Sequence, residues 1–151
     1  MSYTYSDVVE EIQTRLSSVS NIGTIHQFRR WTRSEEEFRT RFKDGANSRL
    51  AGWEITRIGV ADLQDTNITN TVVHSFQLRG YLALSDTQES ELIFQQIIDD
   101  IGAQFRPQDS LSDTCELTRP VQFIRIDHIM FGGVLCHYAE AIIEVQVHLT
   151  S

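Results

Sequence analysis

The stretch from Val72 to Leu84 constrains this chain more than any other. Val72, His74, Phe76, Leu78, Gly80, Leu82 and Leu84 fall on one side of a two-residue period, with Ser75, Gln77, Arg79 and Tyr81 on the other. A strand with one buried face produces that period and a helix does not. Such a strand needs partners along its edges and an apolar layer over its face. "GWEITRIGV" (52–60) supplies one partner, with Trp53, Ile55 and Arg57 on one side and Glu54, Thr56 and Ile58 on the other. Two more strands are predicted over about 121–130 and 134–149, joined near Gly132 and Gly133. Those two glycines are the candidate structural turn, since either can take positive φ in a hairpin. "TIHQF" reads as a short strand, while "DLQDTNITN" and "QDSLSDTCE" read as polar loops.

The covering layer is helical. Ser6 and Asp7 open a helix whose Val8, Val9, Ile12, Leu16 and Val19 follow helical spacing. "SDTQES" opens a main helix of about 20 residues, which presents Phe94, Ile97, Ile98, Ile101 and Phe105 before Pro107 ends it. Ser34 and Glu37 form a capping box for a short helix with Phe38 and Phe42 on its apolar face. The elements come in blocks rather than strict alternation. The expected fold is therefore α+β: one domain over 1–151, with a mainly antiparallel sheet of about four strands packed against two helices. A length mismatch accompanies it. The main helix would span roughly 30 Å, whereas strands over 71–84 and 134–149 would reach roughly 45–50 Å. Either bulges break those strands, or another subunit covers their ends.

Charge is unevenly placed. The chain carries a net −8, yet residues 29–49 hold seven bases and four acids, leaving −11 for the remainder. Lys43 is the sole lysine among 13 bases. Interfaces enrich arginine and deplete lysine, and charge polarity orients a protein against a neighbour, so both features point to assembly. No apolar run approaches the roughly 20 residues of a membrane span. The opening "MSYTYSDVVEEIQ" has no basic segment followed by an apolar core, so a secretory leader is not expected. Two cysteines make no disulfide framework, which suits a reducing compartment.

"FGGVLCHYAE" (131–140) is the segment closest to a reactive or metal site. Cys136 and His137 are adjacent, so on a strand they face opposite ways. Cys115 is twenty-one residues off and gives no zinc spacing with them. A cysteine nucleophile needs a base and a polarising setting, and nothing places His26, His74 or His128 there. Between Leu135 and Tyr138 the thiol reads as a small buried hydrophobe. "GANSRLAG" lacks the lysine and spacing of a phosphate-binding loop. "FRRWTRSEEEFRTRF" interleaves arginine with aromatics, but its three glutamates and overall acidity argue for a solvated helix over nucleic-acid binding. No catalytic, cofactor-binding or metal residues are assigned, and no enzymatic activity is expected.

Taken in order, several segments resemble the tail completion (tail terminator, or neck) proteins of tailed bacteriophages. They are the N-terminal helix ending in "VSNIGTIHQFRRW", then "FRTRF", "GWEITRIG", "FQLRGYLALSDTQESELIFQQIIDDI" and "MFGGVLCHYAEAIIEVQV", together roughly residues 8–147. The resemblance implies a non-enzymatic α+β subunit of the virion, assembled in the host cytoplasm, that forms a ring expected to have six copies. It implies the tail tube protein and a neck or head-completion connector as partners, and no cofactor. DNA would pass through the lumen without sequence-specific binding, an acidic lumen offering phosphates no compensating cations. Arg30, Trp31 and Arg33, in the one basic region, are the candidate contacts to an acidic neighbour. The alternatives are a head-proximal connector of similar fold, or a small α/β ligand-binding module or enzyme using Cys136 and His137.

Overall fold

A computed structural model of the chain describes residues 5–28, 36–37, 40, 43–44, 49–64, 69–106, 115–131 and 133–150. In chain order these form α1 (Tyr5–Ser17), β1 (Thr24–His26), β2 (Lys43–Asp44), β3 (Arg49–Gln64) and β4 (Thr69–Ala83). A 3₁₀ turn at Asp86–Gln88 leads into α2 (Ser90–Gln104), followed by β5 (Cys115–Leu117), β6 (Gln122–Phe131) and β7 (Val134–Thr150). The "TRSEEEFRTRF" helix expected from its capping box falls largely outside the described residues.

This architecture corrects the expected four-stranded antiparallel sheet on two helices. Among the described residues the chain is mostly β, with seven strands in one curled mixed sheet and the helices α1 and α2. The sheet runs β1-β3-β4-β7-β5, with β6 also on β7 and the two-residue β2 on β3. It is mixed because β1 runs parallel to β3, Thr24 to His26 lying against Gly52 to Glu54. β5, inside the supposed polar loop "QDSLSDTCE", is too short to show a period, yet Cys115 to Leu117 pair with Val147 to Val145. The loop read at "DLQDTNITN" also shrinks, because β3 extends to Gln64 and β4 begins at Thr69. The main helix is shorter than expected. Glu89 adopts φ +54, which separates the 3₁₀ turn from α2, so the helix keeps 15 residues.

One face of the sheet carries the main core. Val8, Val9, Ile12 and Leu16 of α1, and Phe94, Ile97, Ile98 and Ile101 of α2, are all buried. They close over Trp53, Ile55, Phe76, Leu78, Ala139, Ala141, Ile143 and Val145. The opposite face is buried too, in a second cluster of Leu50, Tyr81, Cys136 and Tyr138 with Ile129, Phe131 and Val134 packed against it. Tyr81 meets Phe131 edge-on at 4.4 Å and tilts against Tyr138 at 5.3 Å.

Trp53 is the largest fully buried side chain among the described residues, and Gly80 makes room for it. The two are cross-strand partners, and a Cβ on Gly80 would lie 2.3 Å from the indole. The ring has nowhere to retreat. It stacks on Phe94 at 6.2 Å and meets Phe123 edge-on at 6.5 Å. Gly80→Val should therefore cost about 1–3 kcal/mol through overpacking, read as a lower urea midpoint. Gly102→Ala is the control, since a Cβ there meets nothing within 4 Å. In the last turn of α2 that change should be neutral or gain up to about 1 kcal/mol. An unchanged midpoint for Gly80→Val would contradict the packing of Trp53.

Candidate assembly surface

The adjacent Cys136 and His137 do face opposite ways, and neither environment activates a thiol. Cys136 is fully buried in the second cluster, its thiol 3.6 Å from the Val134 carbonyl oxygen. Burial pushes its pKa up to about 11, the reverse of a nucleophilic cysteine. His137 lies on the helix-covered face, with Nε2 2.8 Å from the Ser90 hydroxyl. That hydroxyl also accepts the Ser85 N–H at 2.8 Å. His137 also stacks on Phe94 at 5.6 Å and tilts against His128 at 4.9 Å. Burial chiefly, and then His128, lower its pKa, while Glu91 opposes them. The ring, which burial keeps neutral at neutral pH, ties β7 to the start of α2. Among the described residues no three His, Cys, Asp or Glu side chains are grouped to hold a metal ion.

The features that call for a partner lie elsewhere, on β6. Six of its ten residues are large and apolar; Phe123, Ile129 and Phe131 are half-buried against the two core clusters, whereas Ile124, Ile126 and Met130 stand in solvent. Ile124, Ile126 and Met130 are 57%, 49% and 65% exposed. Met130 is opposite Leu135 in the β6–β7 ladder, and Leu135 accepts the Leu84 N–H at 3.0 Å. Leu84, Leu135 and Met130 thus make an exposed apolar row across three adjacent chain segments. Beside the start of β6, a surface groove of about 470 Å³ is lined by Ile98, Gly102, Pro120, Val121 and Phe123, with Asp99 and Arg106 at its polar parts.

The opposite margin of the sheet is β3. Beyond Glu54 its only partner among the described strands is β4. There Ile58, Val60 and Leu63 are each more than half exposed. Both margins are bulged. The register shifts between Arg57 and Gly59 on β3, and between Phe123 and Arg125 on β6, which leaves Ile58 and Ile124 out of the ladder. Bulges of this kind re-aim side chains at sheet edges. At β6 the Asp127 carboxylate accepts the His128 N–H at 2.8 Å and pairs with Arg125 at 3.2 Å. These contacts hold the Asp127 carboxyl below its ordinary range, the backbone hydrogen bond contributing most.

Of the residues singled out in the sequence, Arg30, Trp31, Arg33 and Gly132 lie outside the described residues. Gly133 is in the connection between β6 and β7 with φ +75, a conformation glycine adopts without a Cβ penalty. The margin residues Ile58, Val60, Ile124, Ile126 and Met130 were not singled out. Their signal was the failure of alternation over 123–131, where apolar residues occupy both parities beside Arg125 and Asp127. No protein-family model matches the chain, and no curated protein matches it.

The two buried histidines make stability depend on pH. Burial first, and then Arg57, lower the pKa of His74 as burial and His128 lower that of His137. Both rings are neutral in the fold and protonate more readily once unfolded, so the unfolded state binds more protons as pH falls below the ordinary 6.5. Their contribution is full above pH 6.5 and is lost as pH falls through that value towards the folded pKa. The urea midpoint should be lower at pH 5.5 than at pH 7.5. His137→Gln, which retains a hydrogen-bonding group but cannot titrate, should reduce that difference. An equal pH dependence in the variant would contradict a buried neutral His137.

Proposed function

We propose that this chain is a structural, non-enzymatic virion protein of the phage neck or tail, forming a ring that terminates the tail tube and connects it to the head. The observation that carries the proposal is β6, a ten-residue strand on which Ile124, Ile126 and Met130 stand exposed. A single copy gains little by keeping such a strand in water, whereas an assembling subunit buries it on its neighbour. The length mismatch supports the same reading. β4 and β7 pair over fifteen consecutive positions with no register shift, so bulges do not shorten them. That ladder extends roughly 45–50 Å, against roughly 22 Å for the fifteen residues of α2. The ordered resemblance to tail completion proteins supplies the setting, with six copies as the expected number. The partners would be the tail tube protein on one side and a neck connector on the other, with DNA passing without sequence-specific contacts. The raised pKa of the Cys136 thiol speaks against the rival reading as a cysteine-dependent enzyme.

The test is a phage lacking this gene, complemented in trans and imaged. Without the protein, separate heads and tails should accumulate, and the wild-type chain should restore joined particles. The double variant Arg30→Glu/Arg33→Glu is expected to fold, which circular dichroism checks first. It should not restore joining, since like charges would face each other across the contact. Joined particles with tails of normal length in the gene's absence would overturn the functional reading. A double variant that joins normally would leave the function standing and remove Arg30 and Arg33 as contacts.

A further inference from the structure

We infer that the subunits join edge to edge, β6 of one copy pairing with the far half of β3 (55–64) of the next. The inference rests on the ring reading above for its partner and adds which surfaces meet. Three observations converge on it.

The first is complementarity of length and position. β6 contributes ten residues at one margin of the sheet, and β3 contributes ten residues, 55–64, at the other. Each of these stretches has a described strand on one side only. An open strand edge presents N–H and C=O groups that another strand satisfies, and natural chains normally blunt such edges with lysine, proline or cover. Neither stretch contains a lysine or a proline.

The second is apolar character. The exposed large apolar residues on these two stretches are Ile58, Val60 and Leu63 on β3 and Ile124, Ile126 and Met130 on β6. Val60 is paired with His74, and Ile126 with Ala139. Through the ladder His74 leads to Val145 on the same face as Ala139. Val60 therefore stands on the same face of the sheet as Ile126 and Met130, and continuing that sheet across the joint would bring these side chains of neighbouring copies onto one surface.

The third is charge. Copies of a chain with net charge −8 repel one another, yet these margins are locally balanced. Residues 55–64 hold Arg57 and Asp62, and residues 122–131 hold Arg125 and Asp127, so each stretch sums to zero with histidine neutral. The two margins differ from each other, so the contact is head to tail. A head-to-tail contact closes into a ring when the rotation per copy permits it, and the curl of the sheet provides a rotation at every joint.

Cysteine cross-linking tests this directly. Val60→Cys and Ile126→Cys are changes at exposed positions, while the native Cys115 and Cys136 are buried and protected. A bis-maleimide spanning about two strand spacings, roughly 10 Å, tolerates an unknown register. Each variant is first checked for unchanged circular dichroism. Neither variant alone should cross-link, an equal mixture should give a covalent dimer, and a chain carrying both changes should give a ladder of multimers. Homodimers from Ile126→Cys alone would overturn the head-to-tail joint in favour of a symmetric β6 pair. A wild-type protein that sediments as a multimer while no combination cross-links would overturn the edge joint and leave the ring reading intact. A wild-type protein that remains a single copy up to its highest soluble concentration would overturn both.

Discussion

The ladder between β4 and β7 is the constraint on which the rest of the molecule depends. Fifteen consecutive positions pair, from Thr69 with Thr150 to Ala83 with Cys136. Because the pairing never shifts, one parity stays on one face from end to end. Phe76, Leu78, Ile143 and Val145 all lie under the helices, and Tyr81, Cys136 and Tyr138 all lie on the other side. A slip of one residue would exchange the two sets, placing Arg79 and Glu140 where α1 and α2 now close. The strands that flank this ladder are its extensions. β3 adds to β4, and β5 and β6 share the outer side of β7, one against its second half and one against its first.

Such a ladder creates its own problem. Two helices of 13 and 15 residues cannot cover its full length, so the far part of β3 and nearly all of β6 remain exposed. The polar side chains on the second face are not idle in this arrangement. Tyr81 donates to the buried Glu54 carboxylate at 3.1 Å, and Gln77 and Tyr138 both donate to Glu140. Arg125 reaches Glu140 at 3.9 Å and lies over the Tyr138 ring at 5.2 Å. Burial, followed by the neighbouring carboxylates, raises the pKa of both tyrosines, so they remain neutral donors. This network fixes the position of β6 against β7 while Ile124, Ile126 and Met130 remain in solvent. The strand is thus held in place and still exposed.

Much of this fold was legible in the sequence wherever one face is dry and the other wet. Val8, Val9, Ile12 and Leu16 on α1, and Phe94, Ile97, Ile98 and Ile101 on α2, are buried as their spacing predicts. In β4 the alternation of Phe76, Leu78, Gly80 and Leu82 is the buried face itself. The reading weakened where that contrast disappears. Asp62, Gln64 and Asn70 look like loop residues, but they pair at the end of the β3–β4 hairpin, and Thr69 pairs with Thr150 of β7. Three-residue β1 and β5 are held by their neighbours rather than by a pattern of their own. A parallel β1 cannot be inferred from composition, and it is what makes the sheet mixed. At the candidate site, the opposite facing of Cys136 and His137 followed from strand geometry alone. The bulges at Ile58 and Ile124 did not, because a bulge looks in sequence like an interrupted period.

The central claim is that copies of the chain complete the sheet at these two margins. Amide hydrogen exchange, compared between assembled protein and protein diluted to single subunits, tests it most directly. The account predicts that outer-edge amides within 122–131 and 55–64 exchange slowly in the assembly and rapidly after dilution. Amides of the β4–β7 ladder should be equally protected in both. Assembly that leaves exchange over 122–131 and 55–64 unchanged, with new protection elsewhere, would contradict the account.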